Sequence, residues 1–221
     1  MKTVAFVPIK LNSERTPGKN IKRFYDGTPL IHFVLKTLRK VKGLDAVYVF
    51  CSDERIQDYL IDGIQFLKRP EYLDTAAATP QDIIDEFMKR VDAEIYLVSH
   101  ATSPFVTAAH FEECIRAVQS GGHDSSFTAE RMQRLLWTAE GRPLNFDPEN
   151  IPRTQDLSPI YNEVSAAYVF TRDMYRALRR RIGLNPHITE VTGVECVDID
   201  YPEDFEIADA IYRDILSTKS E

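Results

Sequence analysis

Short apolar runs alternate along this chain with amphipathic segments whose apolar residues recur at helical spacing. The runs are rich in Val, Ile, Tyr and Phe and have the length of buried strands. Strands are predicted at 3–9, 46–51, 64–67, 94–98, 125–129, 166–170 and 195–199, and helices at 30–41, 53–60, 80–90, 108–119, 172–181 and 202–216. This alternation predicts an α/β fold with a mainly parallel sheet that helices cover on both faces.

Polar residues at the starts of three predicted helices are typical of N-caps. Ser52 precedes the helix at 53–60, and Thr107 precedes the helix at 108–119. Thr79 stands before Pro80, a residue that suits the first position of a helix because it has no N–H to leave unpaired. These caps predict where the helices begin.

The alternation breaks between about residues 132 and 165, in a stretch rich in Pro, Asn and Asp. It holds the only tryptophan of the chain, Trp137, together with Leu135, Leu136, Phe146 and Ile151. A free loop would expose all of these apolar side chains to water. We interpret the stretch as an arm, inserted in a single domain spanning 1–221, that packs against a second subunit of a homodimer or folds over the site. An ordered surface loop of a monomer is the alternative.

Composition limits the classes of protein to consider. With 221 residues, 43% of them hydrophobic, the chain can bury one large core. No segment is apolar over the length that spans a bilayer, and the amino terminus does not resemble a signal peptide, so we expect a soluble cytoplasmic protein that binds no membrane. The three cysteines argue against a disulfide framework, and the net charge of −7 argues against nucleic acid as a partner.

The loop after the first strand concentrates positive charge at one end of the predicted sheet. It carries Lys10, Arg15 and Lys19 together with Asn12, Ser13 and Asn20. Cations at the carboxyl end of a strand in an acidic chain favour a small polyanion, and the simplest one is a nucleoside triphosphate. The glycine pattern is neither a P-loop nor a dinucleotide fingerprint, and a solvated basic turn is the alternative.

Two carboxylates close the last predicted strand. Residues two apart on a strand point to the same side of the sheet, so Asp198 and Asp200 would present their carboxylates together. Two close carboxylates repel unless a cation lies between them, and oxygen ligands favour Mg²⁺. Alternatively, Asp200, Glu203 and Asp204 only cap the following helix, and both roles are compatible.

Two further loops carry polar groups. His100, Thr102 and Ser103 follow the strand at 94–98 and could bind a phosphate, a sugar hydroxyl or a base edge. Here a structural histidine is one alternative and a serine–histidine hydrolase is another, although no nucleophile elbow is present. Arg69, five residues before Asp74, could bind a base or a phosphate through its planar guanidinium.

The joint order of the motifs is specific. S-x-R-x-P-G-K-N stands in the first loop, R-P-x-x-L-x-D after the third strand, T-S-P after the fourth, R-x-Q-D-L-x-P-x-Y in the predicted arm, and D-I-D-x-P-E-D-F-E-I-A at the end. In this order the chain resembles the acylneuraminate cytidylyltransferase family from about residue 4 to residue 212. The first loop is also similar to that of the CMP-Kdo synthetases. The resemblance implies a three-layer Rossmann-like nucleotidyltransferase fold with an extended dimerisation arm.

The resemblance also implies an activity, a metal and site residues. Such enzymes use CTP and Mg²⁺ to attach CMP to a sugar acid, and they release pyrophosphate. The catalytic residues would be Arg15, Lys19, Asp198 and Asp200, with Asp198 and Asp200 at the metal. The nucleotide would contact Lys10, Asn12, Ser13, Arg15, Lys19, Asn20, Arg69 and Asp74. The acceptor would contact His100, Thr102, Ser103, Arg153, Gln155 and Tyr161.

The chain departs from the family's pattern at three places. His100-Ala101 replaces a usual Gln-Pro pair, Val164-Ser165 replaces a usual Asn-Gly pair, and Lys10 replaces a usual arginine. The first two positions face the sugar in the family, so the resemblance implies a changed acceptor. It could be another nonulosonic acid, a different sugar acid, or a phosphorylated or phosphonate compound. A non-catalytic nucleotide-binding protein with the same fold is the alternative from another class.

Overall fold

The structure of the protein, a computed structural model, describes residues 1–12 and 16–217 and is centred on a seven-stranded sheet. The strands are β1 (Thr3–Ile9), β2 (Ala46–Cys51), β3 (Ile64–Lys68), β4 (Ile95–Val98), β5 (Ser125–Met132), β6 (Ile160–Thr171) and β7 (Pro186–Val191). Their order is β3-β2-β1-β4-β6-β5-β7, and among the described strands only β6 runs antiparallel to its neighbours. The carboxyl ends of β1 to β4 therefore meet at one edge.

Helices cover both faces of the sheet. They are α1 (Ile31–Leu38), α2 (Pro80–Arg90), α3 (Ala108–Gln119), α4 (Arg172–Leu178) and α5 (Pro202–Ile211). Alternate side chains of β1 divide the core: Ala5 and Val7 pack with α1 and α3, whereas Phe6 packs with α2 and α4. The predicted α/β fold is confirmed. None of the described helices has the length and apolar character that crossing a membrane requires.

The start of α2 agrees with its sequence signals. Thr79 accepts a hydrogen bond from the Asp82 N–H, and the Asp82 carboxylate accepts one from the Thr79 N–H. Ile84 and Phe87, three residues apart, are buried, and Phe87 stacks on Phe6 with 4.0 Å between ring centroids. The capping box and this apolar stripe fix α2 against the sheet.

The cap predicted at Ser52 is wrong. Asp53 caps the short 3₁₀ helix Glu54–Tyr59, because its carboxylate accepts a hydrogen bond from the Arg55 N–H. The Ser52 hydroxyl instead donates to the carboxylate of Asp74. Aspartate and serine are comparable as N-caps. Here the Ser52 hydroxyl is occupied by its long-range hydrogen bond to Asp74, so Asp53 is the cap.

The strand predicted at 195–199 is also wrong. The segment begins as a 3₁₀ helix, Gly193–Cys196, and continues extended but unpaired with any described strand. Its backbone bonds to loops: the Ile199 N–H donates to the Thr102 carbonyl at 2.9 Å. The last strand of the sheet is β7, whose six residues include Pro186, His187, Thr189 and Glu190 and so lack a clear apolar run.

A large bulge in β6 lies where β5 and β6 extend past the end of β4. Phe127 pairs with Tyr168 and Ala129 pairs with Glu163, so Thr128 alone faces residues 164–167. The buried Thr128 hydroxyl donates to the Val164 carbonyl at 2.6 Å and accepts from the Ala167 N–H at 3.1 Å. It thereby satisfies backbone groups that the interrupted ladder leaves unpaired.

The predicted arm is irregular between residues 133 and 159, whereas both ends of the predicted range belong to β5 and β6. It holds the 3₁₀ helix Thr154–Asp156 and a small hairpin, in which Trp137 pairs with Pro143 and the Leu144 N–H donates to the Leu136 carbonyl at 2.8 Å. Large apolar side chains of the arm are exposed: Trp137 at 56%, Leu144 at 61% and Ile151 at 62%. Packing of the arm against a second subunit stays a prediction.

Candidate active site

The candidate site lies at the carboxyl edge of the sheet, where the loops after β1 to β4 meet the segment that precedes α5. Ligands of open α/β sheets usually bind at this edge. Among the described residues, the loop after β1 contributes Lys10, Asn12, Lys19 and Asn20, since the predicted Ser13 and Arg15 lie outside the described residues. The Asn20 amide donates to the Lys10 carbonyl at 3.0 Å and holds the loop closed.

Lys19 is the best-fixed cation of the site. Gly18 has φ of 69°, in the left-handed region that favours glycine, and it starts the 3₁₀ helix Lys19–Ile21. The Lys19 side chain is only 9% exposed, and its ammonium lies 2.6 Å from the Ile199 carbonyl and 3.4 Å from Asp200 Oδ1. A buried ammonium needs such partners because leaving water is costly.

Asp198 and Asp200 lie beside this ammonium, although they are not on a strand. Asp198 is exposed, but partial desolvation by the surrounding loops raises the pKa of its carboxyl, and the nearby charge of Asp200 raises this pKa further. A hydrogen bond from Thr102 opposes both effects. The two carboxylates therefore repel one another, and a cation bound between them would relieve this repulsion.

The helix-cap role of this segment is present as well. The Asp204 carboxylate accepts hydrogen bonds from the N–H groups of Asp200 at 2.9 Å and Tyr201 at 2.8 Å, at the start of α5. The Thr16 hydroxyl donates to the Asp200 carbonyl at 3.0 Å. The N–H and the carbonyl of Asp200 are therefore both bonded. The side chain that caps α5 is that of Asp204.

The donor set at Asp198 and Asp200 fits Mg²⁺. Within residues 1–12 and 16–217, no cluster of three or more His, Cys, Asp or Glu side chains could hold a metal ion alone. Mg²⁺ is commonly bound by one or two carboxylates and completes its octahedron with water and substrate phosphates. Two carboxylates next to an ammonium suit a metal that arrives with a polyphosphate.

A cavity of about 600 Å³ opens between the loop after β1 and the ends of β2 and β3. Its lining residues are Leu11, Asn12, Ser52, Asp53, Glu54, Lys68, Glu71 and Asp74. This volume is within the range of small-molecule sites. Carboxylates dominate the lining, and they accept hydrogen bonds from amino and hydroxyl groups but repel phosphate. The cavity therefore suits a base with an amino group, or a ribose, better than a triphosphate.

Arg69 lies behind this cavity. It is 2% exposed, its guanidinium donates to the carboxylate of Asp74, and its N–H donates to the Cys51 carbonyl at 2.9 Å. Asp74 thus accepts from both Arg69 and Ser52. The pair fixes one wall of the cavity, while a direct contact of Arg69 with cytidine stays a prediction.

The loop after β4 places its three predicted residues differently. Thr102 bonds to the Asp198 segment, whereas Ser103 is buried and its hydroxyl has no partner among the described residues. The same holds for the Ser99 hydroxyl, so neither serine is activated by His100. This geometry does not support a serine–histidine hydrolase. Burial, followed by the charges of Arg181 and Lys19, lowers the pKa of His100 to about 4.

The remaining predicted acceptor residues stay apart from this cluster. Arg153 is exposed and pairs with Asp156 at 2.8 Å, and the Gln155 carbonyl accepts from the Gln133 amide at 3.0 Å. The Tyr161 hydroxyl donates to Glu190 at 2.6 Å. In the described part of one chain, none of these contacts reaches Lys19 or Asp198. Their role toward an acceptor stays a prediction.

Sequence patterns missed three side chains near His100: Glu163, Tyr168 and Arg181. The Arg181 guanidinium lies 3.7 Å from the Tyr168 ring centroid, and Tyr168 and Arg181 both donate to Glu163. Burial raises the pKa of Tyr168 to about 12, so its hydroxyl stays protonated at neutral pH. The bulge opposite Thr128 and the turn after α4 bring these residues together, and neither feature has a clear sequence signal.

A comparison with protein families now bears on this arrangement. The model of the cytidylyltransferase family matches residues 4–209, from the second residue of β1 to a point within α5. The chain belongs to the cytidylyltransferase family. The match extends from β1 and the Lys19 loop to the Asp198 and Asp200 segment, as the order of motifs predicted.

Individual relatives agree with this assignment. The chain is 29% identical over 216 residues to the N-acylneuraminate cytidylyltransferase of Oncorhynchus mykiss, covering 93% of this chain and 49% of that protein. It is 26% identical over 176 residues to 3-deoxy-manno-octulosonate cytidylyltransferase 2 of Hydrogenovibrio crunogenus, covering 71% and 68%. The chain thus spans about half the length of the fish relative.

Solved structures share the fold. A structure titled CMP:2-keto-3-deoxy-manno-octonic acid synthetase complexed with CTP superposes with a TM-score of 0.70, at 19% identity and over 100% of both chains. The 4-diphosphocytidyl-2C-methyl-D-erythritol synthase of Anaerococcus prevotii gives a TM-score of 0.67 at 15% identity, over 96% of both chains. At these identities the likeness shows the fold alone.

We predict that His100 contributes to the pH dependence of stability. Its pKa in the folded protein, about 4, lies below the 6.5 of an ordinary histidine, so the unfolded chain binds more protons between these values. This contribution to stability is present above pH 6.5 and is lost as the pH falls toward 4. In urea unfolding, the native protein should lose about 1–3 kcal/mol more of its free energy of unfolding between pH 6.5 and pH 4 than His100→Gln loses. Equal pH dependence in both proteins would contradict a desolvated His100.

Proposed function

We propose that the protein transfers CMP from CTP to a hydroxyl group of a sugar acid and releases pyrophosphate. The observation that carries this proposal is the position of Lys19, whose buried ammonium is fixed by the Ile199 carbonyl and by Asp200 at the carboxyl edge of a cytidylyltransferase sheet. Membership of the family supports the reaction class. The names of the two relatives, which refer to acylneuraminate and 3-deoxy-manno-octulosonate, support a sugar acid as the acceptor.

The cavity between the loop after β1 and β3 would hold the cytidine. Its carboxylates can accept hydrogen bonds from the amino group of cytosine and from ribose hydroxyls, and Asp74 is kept in place by Arg69 and Ser52. Asn12 lines the side of the cavity that faces the loop after β1. The phosphates would then extend along that loop, with Lys10 and Asn20 at its start and end.

Lys19 would act on the leaving group. In the reaction, the acceptor oxygen forms a bond to the α-phosphorus while the bond from that phosphorus to the oxygen shared with the β-phosphate breaks. Negative charge grows on the departing pyrophosphate, and an ammonium already fixed next to it stabilises this charge without rearranging. Phosphoryl-type transfer depends on such positioning and neutralisation, so no protein nucleophile is required.

Asp198 and Asp200 would hold the metal. When bound there, the metal would supply neutralisation of phosphate charge and would make an attacking hydroxyl more acidic. Thr102 bonds to Asp198 through its side chain and to the Ile199 N–H through its carbonyl, so the loop after β4 is joined to the metal segment. Asp200 would meanwhile keep the Lys19 ammonium aligned through their ion pair.

The acceptor would enter from the side of His100, Thr102 and Ser103. The departures at His100-Ala101 and Val164-Ser165 favour an acceptor other than an ordinary sialic acid: another nonulosonic acid, a different sugar acid, or a phosphorylated or phosphonate compound. We expect the protein to act in the cytoplasm. We expect its product to be used for the synthesis of a surface polysaccharide. A non-catalytic relative would have no need for both Asp198 and Asp200, which are present.

The arm would pair two copies of the chain. Three large apolar side chains of the arm, Trp137, Leu144 and Ile151, are exposed in the single chain. Groups of large exposed apolar side chains are typical of protein interfaces. Such pairing would give the exposed Arg153 and Gln155 a site to contact on the partner. In this account the chain is a single domain with the arm as an insertion.

Lys19→Met should weaken binding of CTP by about 10- to 100-fold and binding of CMP by less than about threefold, because the ammonium contacts only the outer phosphates. Calorimetric titration of each nucleotide measures both effects. Lys22→Met is the matched control, since Lys22 pairs with Glu206 outside the site. Equal losses for CTP and CMP would contradict a pyrophosphate contact.

Asp200→Asn should reduce Mg²⁺-dependent turnover by about 10²- to 10³-fold because it removes both a metal ligand and the partner of Lys19. The measurement is pyrophosphate release as a function of Mg²⁺ concentration, with circular dichroism to confirm folding. Asp214→Asn removes one exposed carboxylate that pairs only locally with Arg213 and should leave turnover unchanged. Unchanged turnover in Asp200→Asn would exclude the metal role.

Replacing Trp137 and Leu144 with serine should convert a dimer into a monomer, because these side chains would lose their shared apolar contact. Sedimentation velocity of the native protein and the double variant reports this directly. Leu184→Ser serves as the control, since Leu184 is 77% exposed but lies outside the arm. A native protein that sediments as a monomer would contradict the homodimer.

A further inference from the structure

A small pocket lies beside the candidate site on the face of the sheet that α2 covers. It has a volume of about 90 Å³ and is lined by Pro8, Pro80, Ile83, Ile84, Val98, His100 and Arg181. Five of these seven side chains are apolar, and no carboxylate is among them. At about 30 Å³ per water molecule, the pocket holds a group the size of a few waters.

Arg181 enters this pocket in a fixed orientation. Its guanidinium carbon lies 3.7 Å from the ring centroid of Tyr168, a side chain with no exposed surface. One nitrogen donates to Glu163 Oε2 at 3.3 Å, and the Tyr168 hydroxyl donates to the same oxygen at 2.9 Å. The ring and the carboxylate therefore hold the guanidinium from one side.

Most hydrogen-bonding capacity of Arg181 remains unused. A guanidinium has five N–H donors, and within residues 1–12 and 16–217 its hydrogen bond to Glu163 is the only one found. The Glu163 side chain is 46% exposed, so water screens the attraction between its carboxylate and the Arg181 guanidinium. Arg181 therefore presents a positive charge and a planar set of donors to a pocket with apolar walls, where charge-assisted hydrogen bonds are strong.

His100 supplies the second polar group of the pocket. Its ring lies 6.1 Å from that of Tyr168, and the charges of Arg181 and Lys19 both act on its titration. It therefore lines the pocket and is within the electrostatic influence of the ammonium that we place at the leaving phosphates. With a pKa of about 4, it is uncharged at neutral pH, and its ring already bonds to the Ser165 backbone, so the positive charge of the pocket comes from Arg181.

We propose that the pocket of His100 and Arg181 binds an oxyanionic group of the acceptor, either a carboxylate or a phosphate or phosphonate. This inference rests on the proposed transferase function, because it assigns the pocket to the acceptor. The bound anion would orient the acceptor with its attacking hydroxyl toward the α-phosphate near Lys19. The limited volume excludes a bulky side chain of a sugar from the pocket and admits only the anionic group.

The test uses small anions and needs no turnover. The imidazole NMR signals of His100, assigned by their loss in His100→Gln, are followed in the CTP-bound protein without Mg²⁺ while acetate or methylphosphonate is added. Both anions should shift these signals, and the tighter one identifies the class of acceptor. Arg181→Met should weaken anion binding by about tenfold or more and leave CTP affinity unchanged.

Two variants control for charge and folding. Arg180→Met removes a neighbouring exposed arginine that bonds only to the Gly183 carbonyl, and it should bind anions as the native protein does. Arg181→Lys keeps the charge without the planar donors and should be intermediate. Anion binding that is absent from the native protein, or unchanged in Arg181→Met, overturns the proposal. Failure to bind CTP would instead contradict the transferase function, and the same titration without CTP still tests the pocket.

Discussion

The arrangement of the site depends on one buried cation. Lys19 follows β1, yet its ammonium is held by the Ile199 carbonyl and by Asp200, 180 and 181 residues further along the chain. Because an ammonium with 9% exposure cannot rely on water, the segment before α5 must come to it. This contact fixes Asp198 and Asp200 next to the loop after β1. It places the positive and negative groups of the site in one small volume.

The sheet then separates three kinds of chemistry along its carboxyl edge. The acidic cavity at the ends of β2 and β3 suits groups that donate hydrogen bonds, and Lys19 at the end of β1 suits phosphates. Arg181 and His100, at the end of β4 and on the α2 face, suit an oxyanion. A nucleotide and an acceptor bound in this order would meet at Lys19. The order follows from the strand sequence β3-β2-β1-β4, so in this account the topology would determine the direction in which the substrates bind.

Local signals in the sequence predicted much of this. Apolar runs located β1 to β4, Thr79 and Pro80 located the start of α2, and the cations of the first loop lie at the edge where the candidate site is found. Long-range contacts were beyond such signals: the segment at 195–199 looks like a strand, but its backbone bonds to loops. Ser52 looks like a cap, but its hydroxyl reaches Asp74. Arg181 looks like one arginine in a surface run, and only the bulge opposite Thr128 and the buried ring of Tyr168 give it a separate role.

The most direct measurement of the central claim is pyrophosphate release with Mg²⁺, comparing the four nucleoside triphosphates against a panel of acceptors. The panel contains sialic, legionaminic, pseudaminic and Kdo acids, together with sugar phosphates and small phosphonates. The account predicts release that requires both CTP and one anionic acceptor and that stops when EDTA removes the metal. Release that is equal with all four triphosphates, or that persists in EDTA, would contradict it.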